Sequence, residues 1–196
     1  AGRFASPFGS YPKRHLTTVD PFLRPPLAYD YRTVMSRNLA PRDASILLDW
    51  KEAPEFLRKP GVPPVWDVPY QWGATVFGRI GPVDLSVAAM NSAPSSGPAA
   101  WEFAWNRFKD PSWVLAARTP LSASLDVGFS YNHGPWMEEI TGGTIQALPN
   151  ASWGPGTPSF RDFNQEIFSG DLTFARGPVM LRAEAMLDHW EVPNVE

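Results

Sequence analysis

At 196 residues and a formal net charge of -3, the chain is long enough for one domain with a sizeable core. It lacks the concentrated basic surface with which a protein neutralises nucleic-acid phosphates. Cysteine is absent, which removes disulfides, thiol catalysis and cysteine metal sites together, and no apolar run reaches the length of about 18 residues that a transmembrane helix needs.

The 22 prolines and 15 glycines cluster between alternating apolar and polar runs rather than inside them, so the chain reads as strands separated by turns and loops. Residues 2 to 8 predict a strand that leads outward into a long connection. Residues 10 to 69 carry Pro12, Pro21, Pro25, Pro26, Pro41, Pro54, Pro60, Pro63 and Pro64. These exclude long regular elements, and within this loop Asp43 is expected to cap a short helix from Ala44 to Lys51.

The first hairpin is expected over 70 to 80 and 83 to 91, turning at Gly81-Pro82. Trp101, Phe103 and Trp105 alternate within the next connection, 92 to 112, and suggest that strand pairing continues there. A short return strand, Trp113 to Arg118, then turns at Thr119-Pro120 into the cleanest strand, 121 to 132. A loop rich in Gly and Pro covers 133 to 163. The last hairpin takes 164 to 176 and 179 to 188, turning at Gly177-Pro178.

Alternation assigns two faces. Trp72, Ala74, Val76, Ile80, Leu85, Val87, Leu115, Leu125, Val127, Phe129, Leu172, Phe174, Leu181 and Leu187 share a face without charge. The opposite face holds Arg79, Asp84, Arg118, Asp126, Asp171, Arg182, Glu184 and Asp188, a split that a period of two explains. Short turns at one end and long connections at the other match the short periplasmic turns and long outer loops of an outer-membrane barrel. The uncharged face is then lipid-facing, with Trp72, Trp113, Tyr131 and Phe168 forming an aromatic girdle at the ends distant from the turns. The charged face is pore-lining. Arg79, Arg118 and Arg176 lie close to the turns, at the lower rim.

Gly2-Arg3-Phe4, Pro7-Phe8-Gly9 and Tyr11 resemble the segment of many Gram-negative porin-like proteins, the phosphate-selective type among them, where a strand enters an outside loop. Arg118-Thr119-Pro120, Leu125, Gly128, Ser130 and Tyr131 are similar to the hairpins of that family. The resemblance implies a diffusion channel in the outer membrane, although the lysine-rich ladder of the phosphate-selective kind is absent here.

The expected fold is therefore all-β, an up-and-down antiparallel transmembrane β-barrel fragment of about seven strands. Residues 1 to 196 form a single partial domain whose 10 to 69 loop folds into the lumen and narrows or plugs it. The expected function is passive diffusion of small hydrophilic solutes across the bacterial outer membrane. Outer-membrane lipid is the surrounding partner, no nucleic acid or cofactor is involved, and a homo-oligomer stays open.

No catalytic arrangement emerges. His15, His133 and His189 follow no metal-ligand spacing, so no metal site is expected, and Glu138-Glu139 reads as exposed loop. The competing reading is a secreted soluble β-sandwich that binds carbohydrate through exposed tryptophans.

Overall fold

A computed structural model describes residues 1–12, 26–33, 35–37, 61–66, 69–138 and 160–192. The expected helix from Ala44 to Lys51 lies outside them. The strands are β1 (Gly2–Ala5), β2 (Tyr70–Ile80), β3 (Val83–Met90), β4 (Ser112–Ser122), β5 (Leu125–Pro135), β6 (Asn164–Arg176) and β7 (Val179–Trp190), and the single α-helical turn described is α1 (Leu27–Asp30). All seven strands form one sheet in the order β1 to β7, with every neighbouring pair antiparallel. The sheet is an up-and-down, curled half-barrel.

Two of the three tight turns fall where the sequence puts them. Gly81 and Gly177 have φ of 58° and 59°, the positive values that the first position of a two-residue hairpin turn can require and that glycine adopts freely. The turn expected at Thr119-Pro120 is instead at Ala123-Ser124. Thr119 and Pro120 belong to β4 and pair with Val127 and Asp126, and the register shifts between Pro120 and Ser122. That bulge accommodates a residue with no N–H to give the ladder.

The return strand is accordingly eleven residues long, Ser112–Ser122, which is within the 9 to 11 or so residues that a tilted membrane-spanning strand needs. Residues 98–101 and 105–108 are short 3-10 turns rather than continuing strand. Pro98, without a donor, starts the first of them. In this connection Trp72 and Phe103 meet edge to face at 5.3 Å, and Phe103 meets Trp105 at 5.1 Å.

Large apolar side chains stand exposed on one face of the sheet, while the loop-side half of the other face buries apolar and polar side chains together. On the outer face Val76 is 77% exposed, Leu187 71% and Leu181 60%. On the inner face Gln71, Ser112, Asn132 and Gln165 are fully buried. No second sheet covers the outer face among the described residues.

The inner face is covered at the loop end by the chain's own connections. Phe8, Tyr11, Tyr29 and Val65 pack on Ala88, Met90, Val114 and Ile167 of the wall. Val62, Ala93, Trp136 and Met137 form a second cluster, flanked by Trp190. Buried amides bind this cover to the wall, since Gln165 Nε2 donates to the Pro64 carbonyl at 2.8 Å and Gln71 Nε2 donates to the Ser92 and Ala93 carbonyls at 3.0 and 2.9 Å. Each such bond removes the penalty of burying a polar group unpaired.

Candidate functional site: the inner wall

The strand registers gather most of the inner charges into one row. Arg79 pairs with Asp84, Asp84 with Arg118, Arg118 with Gly128, Gly128 with Asp171 and Asp171 with Glu184. The row therefore crosses β2 to β7 at one height. Asp126 and Arg182 lie in the next row toward the turns, both in register with Thr173. Asp188 lies toward the loop end, where both of its oxygens accept from Gln165 Nε2 at 3.1 and 3.0 Å.

Charges within the row are mostly neutralised by one another. Arg79 forks onto Asp84, with Nε to Oδ1 at 2.6 Å and Nη2 to Oδ2 at 2.9 Å. Two parallel N–H bonds suit the planar guanidinium and fix its orientation. Arg118 donates through Nη2 to Asp171 Oδ1, reaching across β5 to do so. Glu184 has no such cation among the described residues. It accepts from Ser10 N at 3.0 Å, Ser10 Oγ at 2.8 Å, Tyr29 Oη at 2.9 Å and Ser169 Oγ at 2.9 Å, so two parts of the inward-folded loop converge on one carboxylate. Gly9 N adds a bond to Ser130 Oγ at 3.1 Å.

Toward the turns the cover ends and a cavity of about 650 Å³ opens against β2, β3 and β4. Phe4, Pro7, Pro12 and Phe77 contribute apolar surface to it, and Arg79, Asp84 and Arg118 contribute charge. Phe77 is 80% exposed on this inner side.

The expected girdle residues all fall on the outer face in the loop-side half. Tyr131 and Phe168 are cross-strand partners with ring centroids 4.8 Å apart. Trp113 is 52% exposed, and Trp72 leans on Phe103. Beyond them a polar row closes the apolar band, for Trp113 pairs with His133, His133 with Glu166 and Glu166 with His189. Tyr131 Oη donates to Glu166 Oε1 at 2.8 Å. Just past β7, Glu191 accepts from Asn164 N and Nδ2, both at 3.0 Å, and the Asn164 backbone bond holds its carboxyl below the ordinary value.

One expectation about the loops is corrected. Glu138 is buried, at 7% exposure, because it accepts from Gly97 N and pairs with Arg37 at 3.7 Å. Its neighbour Glu139 lies outside the described residues. Residue types alone do not reveal Glu138's partners, since Gly97 and Arg37 come from distant loops. The residues that seat the inward loop, Ser130 and Glu184, already stand on the charged face by alternation. Nothing in their spacing identifies what they hold.

Among the described residues, no group of three or more His, Asp or Glu could hold a metal ion, and no helix is long and apolar enough to cross a membrane. No family model, curated protein or solved structure matches the chain.

Proposed function

We propose that this chain forms part of the wall of an outer-membrane β-barrel that admits small hydrophilic solutes by passive diffusion, through a lumen narrowed by its own inward-folded loop. The observation that carries this reading is the exposed apolar outer face. Val76, Ile80, Leu181 and Leu187 are exposed at 60% or more, and Val87, Leu115, Phe129 and Leu172 at 40% or more on the strands between them, a band across the sheet rather than the scattered apolar exposure of an ordinary soluble surface. Hydrocarbon is the solvent that suits it.

The dimensions support the same reading. From Val179 to Leu187 the outer face of β7 carries Val179, Leu181, Ala183, Ala185 and Leu187, a stretch of roughly 26 Å at about 3.3 Å per residue. With strands tilted by about 40° that is roughly 20 Å along the membrane normal, close to the apolar band of about 25 Å typical of such barrels. Planar-bilayer recording is the direct test: the purified protein should give stepwise conductance, and vesicles carrying it should become permeable to small sugars.

A second reading is favoured by one observation, the complete cover of the wall's loop-side half, where Phe8, Val65 and Ile167 are fully buried. On that reading the barrel is plugged and acts as a structural element of the membrane. Stable membrane insertion without conductance, in the parent protein and in variants that loosen the loop, would select it.

A further inference from the structure

Arg118 and Asp171 belong to strands that do not touch. β5 runs between them, and its residue at that point of the row is Gly128. A Cβ at Gly128 would collide with Asp171 Oδ2 and stand 2.8 Å from Arg118 Nη2, so the ion pair passes over the strand through the space that a side chain would fill. Gly128 is not among the glycines with positive φ, so the backbone itself does not require glycine here. The atoms that would be struck first are the mobile ends of two charged side chains. A substitution therefore displaces the charges before it disturbs the strand.

Building on the diffusion reading above, we infer that Gly128 is a specificity-determining residue of the channel, because its missing side chain keeps the Arg118 charge neutralised against the wall. The two partners are unequally placed. The Arg118 side chain is 31% exposed and borders the open cavity, whereas Asp171 is 4% exposed. Breaking the pair frees the cation into the water path and leaves the carboxylate in the wall. The local charge seen by a passing ion becomes more positive, which favours anions.

The test is the reversal potential of the protein in planar bilayers under a potassium chloride gradient. Gly128→Ala should move the chloride-to-potassium permeability ratio toward chloride by up to roughly 30-fold, because one unit charge about 4 Å from an ion in water favours chloride about fivefold and disfavours potassium by the same factor. Asp171→Asn frees the same arginine without adding an atom and should move the ratio in the same direction, which guards against a Gly128 variant that fails to assemble. Adding Arg118→Gln to Asp171→Asn, which removes both charges of the pair, should restore the parent ratio. Conducting channels in which Gly128→Ala and Asp171→Asn both keep the parent ratio would overturn the inference and leave the diffusion reading standing. A parent protein that inserts but never conducts would overturn the diffusion reading itself, and the role of Gly128 with it.

Discussion

Leu172 and Thr173 are neighbours on β6 whose side chains leave opposite faces of the sheet, Leu172 in register with Val127 and Ala183, Thr173 with Asp126 and Arg182. If the outer face meets hydrocarbon, Leu172→Arg places a cation among lipid chains at a cost of about 2 to 4 kcal/mol near the bilayer centre. Thr173→Arg points the same group into the hydrated turn-side lumen, where Asp126 stands on one side of it and Arg182 on the other and water screens both. The first variant should assemble poorly into vesicles and the second nearly as well as the parent, with the folded fraction read from circular dichroism after reconstitution. Equal yields would count against a lipid-facing outer surface.

Glu184 allows a second test at this scale. Glu184→Gln keeps the size of the side chain but removes the negative charge on which Ser10 N, Ser10 Oγ and Tyr29 Oη converge. Hydrogen bonds to a charged group are worth about 1.5 to 3 kcal/mol each, so the inward loop should detach locally. Faster amide exchange at Ser10, with unchanged exchange in β6 and β7, is the expected signature.

The hairpin turns show how far local chemistry fixes an element. Gly177 has a φ of 59° and empty space where a Cβ would go, and Gly170 has equally empty space without a positive φ. Gly177→Val therefore isolates backbone strain and should cost about 1 to 2 kcal/mol. Gly170→Ala serves as the control and should leave the thermal midpoint almost unchanged. A Gly177→Val variant as stable as the parent would show that the turn relaxes to another geometry.

The last hairpin and the first were legible because period-two alternation and a Gly-Pro turn agree there, and β6 spans the expected 164 to 176. The second hairpin turns four residues later than Thr119-Pro120 suggests, because Thr-Pro resembles punctuation while pairing across β4 and β5 tolerates Pro120 at a bulge. Trp101, Phe103 and Trp105 alternate like a strand, yet among the described residues no partner strand stands beside them, and the segment closes into 3-10 turns. Both misreadings share a cause, for strand pairing is decided by a neighbour that local spacing does not show. The footprint of the inward loop was written in the same alternation. The inner face carries Ala88, Met90, Val114 and Ala116 toward the loops beside the buried amides of Gln71, Asn132 and Gln165, and most of its charges toward the turns, and the loop-side part is the part that is covered.

At the scale of the whole molecule, the single sheet has two surfaces with opposite demands. The outer one is apolar and bare from the turns up to the His133, Glu166 and His189 row. The inner one is covered at the loop end and open at the turn end, where Phe77 is 80% exposed. A membrane barrel and a soluble sandwich divide on what shields the bare surface, lipid in one case and a second protein layer in the other. Because the chain has no cysteine of its own, single substitutions report on this directly. In protein reconstituted into vesicles, Leu181→Cys and Leu187→Cys should resist a membrane-impermeant maleimide, while Phe77→Cys should react through the aqueous lumen. Dissolving the vesicles in a mild detergent with short chains should raise the reactivity of the outer pair and leave Phe77→Cys as it was. If Leu187→Cys in intact vesicles reacts as fast as Phe77→Cys, the outer face lies in water and the barrel reading fails.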